Sequence, residues 1–400
     1  MKGKFVRNLH RIYALLFTLL GKFPKQPIFV FESFHGRQYS DNPRAIYEYV
    51  AKEYPNMRCI WAVKKGYESP FKEYDVPYVR RMGLKWLWIM PRAQYWVFNT
   101  RMPKWMVKTI GTKFIQTWHG TPLKKLGLDI EEVMMPGTDT KQYRHNFEQE
   151  SNRWDILLSP NTYSSNIFRS AFGYDGEILE IGYPRNDVLV HPEQSIETNQ
   201  EIRKKLGIKP FQKVILYAPT WRDDEFFKKG SYRFNNQFPF SEMLQQADEI
   251  VVLLRTHYLV SESIDLSSFN QRVINCSEYP DIRDLYLISD LLITDYSSVM
   301  FDFAFLKRPM IFYMYDYDKY KTDTRGFYFN PEKELPGPIV KNPEQLKHAI
   351  ELFLKYPTLV DEKYHQFRKK YCIHTNEAAS KRLLNELIVE KSYDRGRQIG

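Results

Sequence analysis

Short apolar runs ending in Gly, Pro, Ser, Asn or Asp recur along the chain, with helix-period segments between them. The first set covers residues 28–31, 59–63, 95–99, 114–117, 156–158 and 178–181. The second covers 214–217, 250–254, 273–274, 291–294 and 310–313. These runs lack polar alternation, which is the pattern of parallel strands covered on both faces. Strand–helix alternation through both halves predicts an α/β protein of two doubly wound, Rossmann-like domains, with functional loops at the carboxyl ends of the strands and a ligand between the domains. A polar, proline-containing stretch from His191 to Glu201 marks the expected boundary, near residues 188–205. Near the C-terminus, Leu383, Leu384, Leu387 and Ile388 fall on one face of a segment over 376–391, which reads as a closing helix.

The N-terminus breaks this rhythm. Residues 1–25 hold Lys2, Lys4, Arg7, Arg11, Lys22 and Lys25 and no acid, around an apolar run over 12–20. Nine apolar residues are too few to cross a bilayer, which takes roughly 20 in a helix. A secretory leader would need a small-residue cleavage site, but Gly21-Lys22-Phe23-Pro24-Lys25 follows and then a strand-like run. An amphipathic helix lying in a membrane surface fits better.

Composition adds three constraints. With 400 residues the chain exceeds one ordinary core and suits two domains. Its three cysteines, Cys59, Cys276 and Cys372, show no metal-ligand spacing, which indicates a reducing setting without structural zinc. The net charge of +10 is unevenly placed: residues 76–128 contain no acid but include ten Lys or Arg and Trp86, Trp88, Trp96 and Trp105. Basic residues mixed with Trp suit an anionic lipid surface or a nucleic acid, and a buried core under a solvated charged face would look the same.

Candidate chemistry clusters at strand ends. Six groups stand out: Trp118-His119-Gly120-Thr121-Pro122, Gly182-Tyr183-Pro184-Arg185-Asn186-Asp187, Ala218-Pro219-Thr220-Trp221-Arg222, Arg255-Thr256-His257, Asp295-Tyr296-Ser297-Ser298 and Arg325-Gly326-Phe327. His119 follows a strand and precedes Gly, so a ligand can approach closely, and an imidazole there can take a proton at neutral pH; a loop histidine satisfied by backbone would look the same. Arg255 and His257, two apart on extended backbone, project to one side and suit a diphosphate, unless they mark a plain exposed strand end. Ser297 or Ser298 begins a helix, where N–H groups attract phosphate or are simply capped. Asp302 lies one turn on and can accept hydroxyl or ammonium hydrogen bonds. Arg185 and Arg222 could neutralise phosphate charge. The chain lacks dinucleotide, Walker A and zinc-protease patterns, and Asp223-Asp224 and Asp316-Tyr317-Asp318 read as solvated loop acids rather than metal ligands.

Taken in order, Phe31-Glu-Ser-Phe-His-Gly-Arg-Gln-Tyr-Ser-Asp-Asn-Pro, Thr117-Trp-His-Gly-Thr-Pro-Leu-Lys-Lys, Tyr217-Ala-Pro-Thr-Trp-Arg, Arg255-Thr-His, Thr294-Asp-Tyr-Ser-Ser and Arg325-Gly-Phe-Tyr resemble the CDP-glycerol glycerophosphotransferases of wall teichoic acid synthesis. The resemblance spans nearly the whole chain and is nearest to short members that extend an already primed linkage unit. It implies a GT-B-like pair of domains facing a cleft and an N-terminal membrane-associating helix. The implied map is a membrane segment at 1–25, an acceptor- and membrane-facing domain at 26–190, a donor domain at 205–372, and a closing helix and tail at 373–400. His119 would deprotonate the acceptor hydroxyl and His257 would hold the donor diphosphate. Donor contacts carry over to His119, Gly120, Thr121, Pro122, Leu123, Arg185, Pro219, Thr220, Arg255, Thr256, His257, Ser297, Ser298 and Asp302.

The resemblance further implies transfer of glycerol 3-phosphate from CDP-glycerol to an undecaprenyl-diphosphate-linked disaccharide with release of CMP. It implies no cofactor or metal, no nucleic acid, and a peripheral position on the cytoplasmic side of the cell membrane. A homo-oligomer or a complex with other teichoic acid enzymes stays open. So do a primase or polymerase role and CDP-ribitol as donor, and a nucleotide-sugar glycosyltransferase or a non-catalytic binding protein are rival readings.

Overall fold

The apolar runs become strands because most are covered on both faces: in the computed structural model the central strands of each sheet are buried almost throughout, whereas the strand at residues 177–180 has no fully buried residue. The structure describes residues 2–133, 139–220, 226–228, 231–232, 238–245, 248–256, 266–269, 271–317 and 326–397. The chain divides into two compact units, the first formed by residues 1–119, 144–187 and 374–400, the second by 120–143 and 188–373.

In the first unit the strands are β1 (Gln26–Glu32), β2 (Arg58–Val63), β3 (Tyr78–Arg80), β4 (Ala93–Phe98), β5 (Lys113–Gln116), β6 (Ile156–Ser159) and β7 (Glu177–Glu180). They pair in parallel in the order β3-β2-β1-β4-β5-β6-β7. Phe29, Phe31, Trp61, Tyr95, Val97 and Ile115 anchor the core beside the sheet, with the Phe29 and Tyr95 rings stacked at 4.3 Å. The strand order reverses direction between β1 and β4, and the carboxyl ends of the strands at such a reversal are where open α/β sheets bind ligands.

The second unit repeats the plan with β8 (Lys213–Ala218), a small antiparallel hairpin of β9 (Phe226–Lys228) and β10 (Ser231–Tyr232), then β11 (Ile250–Leu254), β12 (Val273–Asn275), β13 (Leu291–Thr294), β14 (Met310–Tyr313) and β15 (Ile339–Val340). Its parallel sheet runs β12-β11-β8-β13-β14-β15, so the reversal lies between β8 and β13.

The division differs from a map of contiguous domains in two places. Residues 120–143 belong with the second unit, because Lys125 donates its N–H to the Gly326 carbonyl (3.0 Å) and Tyr328 to that of Leu123 (3.0 Å). The segment from His374 returns to the first unit. There Leu383, Leu384 and Leu387 enter the core of the first sheet, and Asp187 accepts the N–H groups of Ala379 (2.7 Å) and Ser380 (3.1 Å) at the start of the helix Ala379–Arg397.

The N-terminal helix, Lys2–Leu20, lies on the first unit. Phe17 is fully buried against Trp86 and Trp96, and the Tyr13 hydroxyl donates to the Met82 carbonyl at 2.7 Å. The basic, Trp-rich stretch therefore splits: Trp86 and Trp96 are core, whereas Trp88 is exposed.

Candidate active site

Chain reversal after β5 places His119. Gln116 accepts the Trp118 N–H on its side-chain oxygen (3.0 Å), and Trp118 adopts φ 51°, a left-handed conformation unusual for a bulky residue. The strain is held by a tryptophan ring packed on Phe172 at 4.6 Å and stacked on the His119 imidazole at 4.5 Å.

The imidazole has a defined tautomer. Its Nδ1 lies 2.7 Å from the carbonyl oxygen of Asn99, immediately after β4, and a carbonyl can only accept, so Nδ1 carries the proton. Nε2 is left with its lone pair. Desolvation of the ring lowers the His119 pKa most; the Asn99 hydrogen bond and the Asp41 charge act upward, and Arg185 and Arg101 downward, with a net shift below the ordinary histidine value. A neutral ring with a basic Nε2 at pH 7 is the state a general base requires.

Two residues outside the six strand-end groups lock this loop. Asn42 donates its side-chain amide to the carbonyls of Thr117 (3.3 Å) and Trp118 (3.2 Å) and accepts the Arg185 N–H on Oδ1 (3.1 Å). Asp41, at φ 66°, accepts from Nη1 of Arg185 with both oxygens (3.1 and 3.2 Å), and both side chains are buried. Arg185 is thus engaged with Asp41 in the first unit, and its charge reaches His119. The signal for Asn42 was the Ser40-Asp41-Asn42-Pro43 turn after β1, and that for Asn99 its place after β4. Both flank the β1/β4 reversal, which no single motif displays.

In the second unit four of the predicted groups meet. Gly120 faces Ser298 so closely that a Cβ on it would sit 3.0 Å from the serine hydroxyl. Ser298 begins the five-residue helix Val299–Phe303 but makes no side-chain capping bond, so its hydroxyl is not spent on the helix end. Thr220 donates its N–H to Asp295 Oδ1 at 2.8 Å, joining the loops after β8 and β13 at the reversal of the second sheet. Leu123 and Lys125 pair with the Gly326–Tyr328 strip, and the Tyr328 hydroxyl donates to Asp129 at 2.6 Å. Thr121, Pro122 and Leu123 are buried, Pro219 and Thr220 half-buried, and Asp302 buried within its helix.

The Arg255 group has a different arrangement from one facing a pocket. Nη1 of Arg255 donates to the carbonyls of Cys276 (2.6 Å) and Tyr279 (2.5 Å), bracing the end of β11 against the loop after β12. Thr256 bonds Ser277 through its N–H (3.1 Å) and its hydroxyl (2.7 Å). His257, Trp221, Arg222 and Arg325 lie outside the described residues.

Residues 15–389 match the family of CDP-glycerol:poly(glycerophosphate) glycerophosphotransferases. The chain belongs to that family. Glycerophosphotransferase chemistry is therefore the frame in which the His119 loop is to be understood. The chain is 51% identical over 382 residues to the teichoic acid glycerol-phosphate transferase of Staphylococcus aureus (strain NCTC 8325 / PS 47), covering 95% of this chain and 97% of that protein. It is 48% identical over 390 residues to the teichoic acid poly(glycerol phosphate) polymerase of Bacillus subtilis (strain 168), covering 97% of this chain but only 52%, about half, of that longer protein. Among solved structures it resembles a histidine-to-asparagine variant of the wall teichoic acid polymerase TagF soaked with CDPG, at TM-score 0.85 and 42% identity over 98% of this chain and 97% of that one.

Proposed function

We propose that the chain transfers glycerol 3-phosphate from CDP-glycerol to a glycerophosphate-primed, undecaprenyl-diphosphate-linked disaccharide, releasing CMP, in wall teichoic acid synthesis. The observation that carries the reading is the fixed tautomer of His119: Nδ1–H bound by Asn99 leaves Nε2 able to accept a proton. That atom takes the proton of the acceptor's terminal hydroxyl as the oxygen attacks the β-phosphorus of the donor, and the bond to the CMP oxygen breaks in line. The donor is assigned to the second unit, where Gly120, Thr121, Thr220, Ser297 and Ser298 offer backbone N–H groups and hydroxyls around the β8/β13 reversal, with Pro122, Leu123, Pro219 and Asp302 beside them. Arg255 and Thr256 shape the neighbouring strand end, and His257 is assigned to the diphosphate on its motif alone. The likeness to a TagF polymerase soaked with CDPG, together with that to a glycerol-phosphate transferase of S. aureus, supports a CDP-glycerol donor. Product analysis tests the reading: CMP release and glycerol phosphate addition are expected, whereas release of a nucleoside diphosphate would indicate a glycosyltransferase. Competition between CDP-glycerol and CDP-ribitol fixes the donor.

The enzyme is further proposed to work on the cytoplasmic membrane surface as a peripheral protein. No helix among the described residues is long and apolar enough to cross a membrane. The N-terminal helix nevertheless has two faces. His10, Tyr13 and Phe17 pack onto the first unit, while Leu9, Ile12, Leu16 and Leu19 form an outward stripe at three- and four-residue spacing, beside Leu15, which is 61% exposed. Exposed Phe23 continues the stripe and packs at 5.8 Å from exposed Trp88, over which Arg92 lies at 4.3 Å. Apolar side chains with Trp and Arg at their margin match the interface of an anionic bilayer.

A further inference from the structure

Left-handed backbone concentrates around His119. Among the described residues eight other than glycine have positive φ, and four of them, Phe34 (φ 46°), His35 (φ 60°), Asp41 (φ 66°) and Trp118 (φ 51°), bear on its imidazole. Asp41 and His35 do so electrostatically. Trp118 and Phe34 do so by contact, Trp118 stacked at 4.5 Å and 28° and Phe34 edge-on at 5.8 Å and 61°. A left-handed conformation is unfavourable for a bulky aromatic residue, and no other described Phe, Tyr or Trp adopts it. Such strain persists only where the surrounding structure imposes it, and here it delivers two rings to one side chain.

Asn99 secures the Phe34 conformation. Its Oδ1 accepts the Phe34 N–H at 2.9 Å, while its carbonyl oxygen accepts the Nδ1–H of His119 at 2.7 Å. Asn99 is fully buried, so both oxygens act where water does not compete. One residue thus holds both members of the ring pair, the imidazole through its main chain and Phe34 through its side chain. The far end of the turn is fixed from β2. Gly36 accepts the Lys64 N–H at 2.8 Å and donates its own N–H to the Ser33 carbonyl at 2.9 Å. At φ 77° a Cβ on Gly36 would lie 2.7 Å from the Ala62 carbonyl oxygen, so only glycine fits there. The chain leaving β1 is therefore pinned on both sides of Phe34.

We propose that Phe34 and the Asn99 side chain are positioning residues for the transfer, a clamp that keeps the His119 imidazole in one orientation and shielded from water while Nε2 takes the acceptor proton. The inference rests on the reaction proposed above. It is separable from the tautomer, which the Asn99 carbonyl sets whatever side chain the residue carries. Shielding has a chemical consequence. Desolvation is the largest influence lowering the His119 pKa, and its size depends on what covers the ring. The charged and titratable groups acting on the ring are Asp41, Arg185, Arg101 and His35, and all four are kept when Phe34 is shortened. Loss of the Phe34 cover therefore moves the His119 pKa upward, toward the ordinary 6.5.

The test uses the full chain and two measurements, steady-state kinetics across pH with CDP-glycerol and a primed acceptor, and titration of the His119 ring by its NMR resonances. In Phe34→Ala kcat should fall roughly tenfold to a hundredfold, the scale of a small misplacement of a reacting group, with the CDP-glycerol KM within about twofold. The acid limb of kcat/KM and the ring titration should both move up toward 6.5. Phe34→Leu, which restores apolar cover, should bring the limb back and recover part of the rate. Asn99→Ala keeps the carbonyl but frees the Phe34 N–H, so it should move the limb in the same direction, and it carries the test if Phe34→Ala does not fold. Because the Asn99 side chain acts through Phe34, the double variant should be slower than Phe34→Ala by no more than about twofold. A limb and ring titration that stay in place in both single variants, or losses that multiply in the double variant, overturn the clamp. A ring titration that shifts in Phe34→Ala and returns in Phe34→Leu, in a protein without turnover on CDP-glycerol, sinks the reaction but supports the clamp.

Discussion

The Asn99 carbonyl oxygen accepts the Nδ1–H of His119 at 2.7 Å, and with that one contact the β1/β4 reversal of the first sheet fixes the tautomer of the imidazole. A carbonyl in this place does what a carboxylate often does for a catalytic histidine, orienting the ring, but without adding a charge that would raise its pKa strongly. Desolvation of the ring keeps its pKa low, Arg185 and Arg101 reinforce that, and the Asn99 bond and the Asp41 charge moderate it.

The first prediction concerns pH. A base whose pKa is lowered stays deprotonated further into acid, so the acid limb of kcat/KM should fall below pH 6.5, not above it. Stability follows the same sign. His35, with a folded pKa of about 4 against 6.5 unfolded, binds fewer protons folded than unfolded between those values. Its contribution is full above pH 6.5 and is lost as pH falls toward 4, which urea denaturation at stepped pH should show as a declining midpoint.

Asn42→Ala removes three hydrogen bonds that tie the His119 loop to the Arg185 turn. Leaving the buried carbonyls of Thr117 and Trp118 and the Arg185 N–H without this partner should cost about 1–3 kcal/mol in denaturation. Because Trp118 is held in a strained conformation, the loop should also relax, and kcat should drop with little change in donor KM. A wild-type kcat in a destabilised variant would show that the loop holds its shape without Asn42.

Gly120→Ala places a methyl carbon 3.0 Å from the Ser298 hydroxyl. Contact at that distance forces a shift of a few tenths of an ångström at the site assigned to the donor, so the CDP-glycerol KM should rise while the acid limb of the pH profile stays in place. Steady-state kinetics with donor varied at saturating acceptor reads this directly.

For the membrane surface, Ile12→Glu with Leu16→Glu puts two charges on the outward stripe and touches none of the inward-packed rings. Co-sedimentation with vesicles of anionic phospholipid should fall sharply, and turnover on a water-soluble acceptor should persist. Equal sedimentation of variant and wild type would mean that the stripe is not the contact.

The strands were legible because parallel strands bury both faces and leave uniform apolar runs, as in residues 250–254. The three-residue β3 and two-residue β15 were not, since short edge strands carry no such run. The place of His119 just past a strand end was legible from the apolar run before it, whereas its tautomer was not. Asn42 and Asn99 were not: each works through hydrogen bonds to residues at least 20 positions away, set by strand order. Nor was the passage of the chain from one unit to the other next to His119, because residues 120–143 look no different in composition from those before them and are claimed by pairing with the strip at residues 326–328. Arg185 showed its charge in the sequence but not its partner, Asp41, 144 residues away.

The most direct measurement is incubation of wild type and His119→Ala with CDP-glycerol and a synthetic primed lipid acceptor, with CMP release and acceptor mass followed together. The account predicts acceptor-dependent CMP release and gain of one or more glycerol phosphate masses by the wild type. In His119→Ala the rate should fall by roughly 10²–10⁴-fold, with CDP-glycerol binding retained. An acceptor of unchanged mass in the wild type, or a His119→Ala enzyme of near-normal rate at neutral pH, would contradict it.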